Sequence, residues 1–136
     1  MNSDFEDAHE RHWEDAEMLY LNKRWANADH LYGMAAECGL KRLMLAFGMQ
    51  VNHDGVPPPD DKKHADGIWA RYESYRCGHP QGAHYTLPTN NPFADWDISQ
   101  RYANRSNFDQ TRAQSHQSGA KLVRQLVDKA RRDGLI

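Results

Sequence analysis

Apolar residues recur at helical spacing in four segments of the chain, and one of these segments is apolar nearly all round. In Trp25–Phe47, apolar side chains fall on most sides of a helical wheel. Three of its polar residues, His30, Glu37 and Lys41, fall together in one narrow stripe. A helix with this pattern is surrounded by other elements rather than laid on a surface. The segment therefore predicts a central helix around which the rest of the chain packs.

Two glycines inside this central segment indicate where a neighbour comes close. Gly33 and Gly39 each cost a helix about 1 kcal/mol relative to alanine. Since a glycine has no side chain to hold a neighbour away, we expect another helix to approach closely at both positions.

The other three segments carry one apolar face each, as surface helices do. They are predicted at about residues 4–22 and 61–76, and from the capping signal at 106–109 to about residue 132. Ser3 and Glu6 form a capping box before the first helix, and Asp60 with Asp61 caps the third. On the apolar face of the first helix, His12 is predicted to be a packed, hydrogen-bonded histidine. The short break at residues 22–25 makes the first two helices antiparallel neighbours.

No segment alternates with period two, so no strand is predicted. Residues 78–97 carry three prolines and two glycines, which predicts a long loop that is either functional or partly disordered. A short helical turn around residues 98–103 closes it. The expected fold class is all-α, with four helices around one core in a single domain spanning residues 1–136.

Composition agrees with a globular protein, with 39% hydrophobic and 26% charged residues. No apolar run approaches the ~18 residues of a membrane span, and the acidic first residues argue against a secretory signal. Two cysteines, Cys38 and Cys77, make no disulfide framework, and Cys38 is expected in the core. We expect a cytoplasmic protein that does not contact the membrane.

Charge is distributed unevenly along the chain. Residues 1–37 hold nine acids and three bases, whereas residues 101–132 hold eight bases and two acids. Two interpretations follow: the end helices attract each other, within the chain or across a dimer, or the basic C-terminal helix contacts phosphates.

Two stretches of the chain resemble a known family. Trp13–Tyr20, WEDAEMLY, and Arg24–Lys41, RWANADHLYGMAAECGLK, are similar to the first two helices of HEPN domains (higher eukaryotes and prokaryotes nucleotide-binding). Arg101-Tyr102 and the long last helix fit the same architecture. The resemblance implies an up-and-down four-helix bundle, usually a homodimer. Many HEPN proteins are metal-independent RNases of toxin–antitoxin or defence systems, and others are nucleotide-binding or interaction modules.

The catalytic motif of these RNases places an Arg and a His near the start of the last helix, with four to six residues between them. The nearest candidates here are Arg112 and His116, with three residues between them, so the chain departs from the motif. On a helix the two side chains still share a face, where His116 could take a 2′-hydroxyl proton and Arg112 could steady phosphorane charge. The alternative is a structural histidine and a surface arginine, since Val123 and Val127 lie on the same face.

Further candidate residues follow from charge and aromatic content. Arg101, Tyr102 and Arg105 are candidates to bind RNA or a nucleotide through phosphates and stacking. Trp69, Tyr85 and Trp96 are further candidates to stack bases, although aromatic residues in a domain of this size are more often core. Glu37 and Lys41 match the family's Glu and Lys and are interpreted first as a structural pair, with a ligand-facing stripe including His30 as the alternative. No histidine or cysteine cluster has metal-ligand spacing and no phosphate loop is present, so neither a metal nor a cofactor is predicted.

The leading hypothesis is an RNA-directed protein, potentially an RNase with an antitoxin-type partner protein. The competing hypothesis is a non-catalytic helical module that binds a nucleotide or a partner.

Overall fold

Four α-helices supply the regular structure, as the hydrophobic pattern predicts. The computed structural model describes all residues, 1–136. The helices are α1 (Phe5–Leu21), α2 (Trp25–Ala46), α3 (Ala65–Cys77) and α4 (Gln110–Arg132). Short 3₁₀ helices lie at Pro59–Asp61, Gly82–His84, Ile98–Tyr102 and Arg105–Asn107, and there is no strand. The all-α class and the helical turn near residue 98 are confirmed.

Helix α2 is the central element. Thirteen of its 22 residues are buried, and α1, α3 and α4 all pack against it. Its side chains Tyr32, Leu40 and Leu43 have no exposed surface. Burial of this apolar surface on several sides is the main stabilising term of the fold.

The two glycines of α2 both accommodate close neighbours, but of different kinds. A Cβ on Gly39 would lie 2.6 Å from Val123 of α4 and 2.7 Å from His9 of α1, so helices do approach there. A Cβ on Gly33 would lie 2.2 Å from the indole ring of Trp96. The expectation of a neighbouring helix is therefore wrong at Gly33, where an aromatic ring from an irregular segment fills the space.

Helices α1 and α2 run antiparallel, as their short connection predicts. Near the turn the Tyr32 hydroxyl donates to Glu17 at 2.6 Å, and far from it Arg42 donates to Glu6 at 3.1 Å. The fully buried histidine of α1 is His9, whose ring lies 2.7 Å from the Ala35 carbonyl oxygen. The packed, hydrogen-bonded histidine is therefore His9, about one turn before His12, where it was predicted.

The predicted cap of α1 and the predicted start of α3 are wrong. Helix α1 is capped by Asp4, which accepts from the Asp7 N–H at 3.0 Å, because the N–H of Ser3 pairs with the loop carbonyl of Asp54. Helix α3 begins at Ala65, after the predicted caps. Asp61 caps no helix but is held by side chains, with Arg71 Nε at 2.5 Å and Tyr75 Oη at 2.6 Å.

The 78–97 loop is a packed part of the core. Its Tyr85, Phe93 and Trp96 are buried, and Phe93 fits against α4 at Gly119, where a Cβ would lie 2.9 Å from the ring. This packing fixes the chain next to the start of α4.

The charge asymmetry of the sequence is satisfied in part within the chain. Arg131 of α4 contacts Glu6 at 2.9 Å and Glu10 at 2.8 Å, and Arg124 contacts Glu10 at 2.8 Å. The first interpretation, attraction between the end helices, is confirmed inside one chain. These arginines are consequently occupied by carboxylates.

None of the helices has the length and apolarity needed to cross a membrane.

Candidate functional site

A cluster of charged side chains lies where the starts of α2 and α4 meet the end of the 78–97 loop. His116 of α4 is at its centre and is 1% exposed. Its Nδ1 lies 2.5 Å from Asp29 Oδ1 and its Nε2 lies 2.8 Å from Asp95 Oδ1. Phe93 stacks on the imidazole with ring centroids 5.2 Å apart. The ring is therefore held on both edges and one face.

Asp29 anchors the cluster inside the fold. It sits in the second turn of α2 and is fully buried, which a carboxylate tolerates only with partners. Besides His116, it accepts from Gln100 Nε2 at 2.5 Å and faces Arg112 Nε at 3.6 Å. Two cationic side chains and one amide thus satisfy the buried carboxylate.

Arg112 ties the cluster to the loop. Its guanidinium donates to Asp95 Oδ2 at 2.9 Å and to the Asp95 carbonyl oxygen at 2.6 Å, and it lies 5.7 Å from the Phe108 ring. The Asp109 side chain caps α4 by accepting from the Arg112 N–H at 2.8 Å. The predicted pair of Arg112 and His116 is therefore brought together, through a shared carboxylate.

The electrostatics of the cluster favour a charged His116. Burial alone lowers the pKa of His116, but hydrogen bonds and charges from Asp29 and Asp95 outweigh burial and raise it above its ordinary value. For Asp95, burial raises the pKa and the contacts with His116 and Arg112 lower it, with a net decrease. Because ionised carboxylates only accept hydrogen bonds, both ring nitrogens of His116 carry protons in this arrangement.

This geometry limits what His116 can do. A general base needs a free lone pair within reach of the substrate proton, and both nitrogens of His116 are occupied. Asp95, by contrast, has a side chain that is 65% exposed. The Asp95–His116–Asp29 chain connects an accessible carboxylate to a buried one.

Two adjoining cavities open at this end of the molecule. The first, the aspartate cavity, has a volume of about 570 Å³ and is lined by Asp95, Gln100, Tyr102, Arg112 and five further residues. The second, the basic cavity, has a volume of about 360 Å³. Its lining consists of Lys23, Arg24, Trp25, Ala26, Asn27, Ala103, Arg105 and Phe108. The two cavities share Ala103 and Phe108.

The three predicted RNA-binding residues lie beside these cavities. Tyr102 is 79% exposed, and the Arg101 guanidinium stacks 4.9 Å above its ring. Arg105 lines the basic cavity. The other aromatic candidates, Trp69, Tyr85 and Trp96, are buried in the core.

Glu37 and Lys41 lie outside both cavities. They form a buried pair at 2.6 Å, with His64 of the α3 start 3.1 Å from Glu37 and the Phe5 ring 5.8 Å from Lys41. A buried pair that joins three segments of the chain fits the structural interpretation. His30 is separate from it and stacks on Trp96.

Several members of the site were not predicted from the sequence. Asp29, Asp95, Gln100, Lys23 and Arg24 were all missed. Only Asp29 carried a signal, because it is an acid in a helix that is apolar on most sides. Asp95 is placed by loop packing, for which the sequence shows no period.

No group of three or more His, Cys, Asp or Glu side chains is arranged to hold a metal ion. Comparisons with family models, with curated proteins and with solved structures give no match to the chain.

Proposed function

We propose that the chain is an RNA-directed helical protein that binds RNA at the end formed by the aspartate and basic cavities. One observation carries the proposal: cations without a carboxylate partner gather at this end together with the exposed ring of Tyr102. Lys23, Arg24 and Arg105 line one cavity, and Arg101 lies over Tyr102 at the other.

The chemistry of these groups suits single-stranded nucleic acid. Lysine and arginine neutralise backbone phosphates and release counterions, while exposed rings such as Tyr102 stack on unpaired bases. The arginines on the opposite side of α4 are less suited, because Arg124 and Arg131 are already paired with Glu6 and Glu10.

We also propose that the chain is related to HEPN domains, whose fold is an up-and-down bundle. In an up-and-down bundle, successive helices alternate in direction. Helices α1 and α2 do alternate, and α4 runs with α2, since Asp29 meets His116 and Gly39 meets Val123. Helix α3 departs from this alternation, because it runs in the same direction as α2. His64 at its start contacts Glu37, and Tyr72 further along it contacts Phe47. A homodimer and an antitoxin-type partner remain predictions of the resemblance.

Metal-independent RNA cleavage is the second candidate function. It is favoured by the Arg112 guanidinium in the wall of the aspartate cavity and by the accessible Asp95 carboxylate backed by His116. In this scheme Asp95 accepts the 2′-hydroxyl proton as the 2′-oxygen attacks phosphorus, and Arg112 steadies the phosphorane. The bond from phosphorus to the 5′-oxygen then breaks, and the leaving 5′-oxygen takes a proton from water. Binding without cleavage is the better supported proposal, because the Asp95 carboxylate already accepts from His116 and Arg112, which lowers its pKa and makes it a weaker base.

RNA binding is tested by fluorescence anisotropy with a labelled single-stranded RNA. The variant Arg101→Gln/Tyr102→Ala is expected to bind RNA about tenfold more weakly, since one phosphate contact and one stacking platform are lost. Lys62→Gln/Lys63→Gln is the control, because these exposed lysines lie away from both cavities. Equal affinities for wild type and both variants would remove the proposal.

Cleavage is tested with the same RNA in EDTA. A binding module leaves the RNA intact. An RNase cleaves it, and loses cleavage in both His116→Ala and Asp95→Asn. The second variant is included because Asp95 is largely exposed, so its substitution leaves the core intact.

A further inference from the structure

Three cationic side chains and no acidic side chain line the basic cavity. Lys23 and Arg24 come from the turn between α1 and α2, and Arg105 comes from the 3₁₀ helix before α4. None of the three makes an ion pair or a side-chain hydrogen bond, and no acidic residue lines the cavity. Elsewhere in this fold the arginines of α4 that face α1 are neutralised by glutamates.

Like charges gathered around one cavity repel one another. The sequence offers nearby acids on both sides, such as Asp15 and Asp109, yet none of them reaches these three side chains. The uncompensated positive charge of these exposed side chains therefore favours an anionic ligand in the cavity.

The main chain that lines the basic cavity also carries partial positive charge. Trp25, Ala26 and Asn27 form the first turn of α2, which contains no acidic residue and receives no side-chain cap. Their N–H groups point out of the helix start, which carries partial positive charge. Side chains and main chain thus favour an anion at one place.

We propose that the basic cavity binds a phosphate group, supplied either by a free nucleotide or by an RNA strand. The guanidinium groups of Arg24 and Arg105 suit bidentate contacts to phosphate oxygens, and Lys23 adds a third charge. Trp25 provides an aromatic wall on which a base can stack. A volume of about 360 Å³ lies at the small end of ligand sites, which suits a single nucleotide.

This inference deepens the proposed function and depends on it only where the phosphate belongs to RNA. Lys23 and Arg24 lie in the cavity and outside the Arg101 and Tyr102 surface used to test RNA binding. The two proposals can therefore be tested, and contradicted, separately.

The test uses the full chain and two probes, 5′-AMP and adenosine, in isothermal titration calorimetry at low salt. Wild type is expected to bind AMP and to bind adenosine at least about tenfold more weakly, because adenosine lacks the phosphate. The variant Lys23→Gln/Arg24→Gln is expected to lose about tenfold or more in AMP affinity. Lys62→Gln/Lys63→Gln removes the same charge elsewhere and should bind as wild type does. Thermal melts establish that all three proteins are folded.

A parallel arm measures single-stranded RNA with the same proteins. Loss of AMP binding in Lys23→Gln/Arg24→Gln supports a free nucleotide as the source of the phosphate. Loss of RNA binding alone in that variant supports an RNA phosphate. If the variant binds both probes as tightly as wild type does, the inference is overturned. In that event, weakened RNA binding by Arg101→Gln/Tyr102→Ala would leave the proposed function standing.

Discussion

At the scale of single residues, two histidines show how partners decide the charge of a buried group. His9 and His116 are both almost fully buried. His9 bonds only to a backbone carbonyl, its Nε2 has no partner, and burial lowers its pKa. Although burial also disfavours the charged form of His116, the two carboxylates beside it raise the pKa of His116. The same side chain therefore has a lowered pKa in one place and a raised pKa in the other.

NMR titration of the two imidazoles checks this contrast. His116 should titrate above 6.5 and His9 below it. Because the folded pKa of His116 is raised, its stabilisation is complete below pH 6.5 and is lost as pH rises through the folded value. His9 acts in the opposite sense, since its lowered pKa costs stability as pH falls below 6.5. In Asp29→Asn the pKa of His116 should fall. A His116 resonance that titrates below 6.5 in wild type would contradict the charged assignment.

Lys23 carries a second testable feature at this scale. It is the one residue other than glycine with a positive φ, at 59°, a conformation that costs an L-residue about 1–2 kcal/mol. We expect Lys23→Gly to raise the free energy of unfolding by about 0.5–1 kcal/mol, as measured by urea denaturation. Lys23→Ala keeps the strained conformation and should gain nothing. Equal stability of the two variants would show that the backbone at Lys23 is unstrained.

At the scale of elements, periodic segments were predicted well and irregular ones were not. The ends of α1 and α2 were placed within about a residue, because the apolar period alone determines which face is buried. The start of α3 was misplaced, since Asp61 pairs with Arg71 and Tyr75 rather than with free N–H groups. The packing of the 78–97 loop was not predictable, because its aromatic residues fit gaps left by glycines on helices that are distant in sequence.

Substitution of the glycine beneath Trp96 tests that fit. In Gly33→Ala the new Cβ would overlap the indole ring at 2.2 Å, so the ring and the adjoining Asp95 must move. Overpacking of this kind costs about 1–3 kcal/mol, measurable by urea denaturation. Gly67→Ala is the matched control, because a Cβ there meets only the Lys63 side chain at 3.6 Å, and it should stabilise α3 by up to about 1 kcal/mol. A stabilising Gly33→Ala would contradict the close contact.

At the scale of the whole molecule, the basic side chains fall into two groups, those paired with a carboxylate and those without one. Half of the eight bases in residues 101–132 have a carboxylate partner. They are Arg112, Arg124, Lys129 and Arg131. The α1–α4 side is therefore a paired network, whereas Arg101 and Arg105, beside the two cavities, have no carboxylate partner.

The paired side should contribute stability rather than binding. Arg131 contacts Glu6, Glu10 and Asp128, and we expect Arg131→Gln to lower the free energy of unfolding by about 1 kcal/mol at low salt. The loss should shrink at high salt, since these groups are partly exposed and screened. Arg132→Gln is the control, because Arg132 has no carboxylate partner and should leave stability unchanged. Equal losses in both variants would mean that the network adds nothing.

The distinction between paired and unpaired cations also determines how RNA binding should depend on salt. Each phosphate neutralised on a single strand contributes about −0.7 to the slope of log K against log salt. If Lys23, Arg24, Arg101 and Arg105 are the cations that contact RNA, the slope should be about −3. Arg105→Gln should make it shallower by about 0.7, whereas Arg131→Gln should leave it unchanged, because Arg131 is already neutralised by Glu6 and Glu10. A slope that responds to Arg131→Gln but not to Arg105→Gln would place the RNA along α4 and away from the cavities.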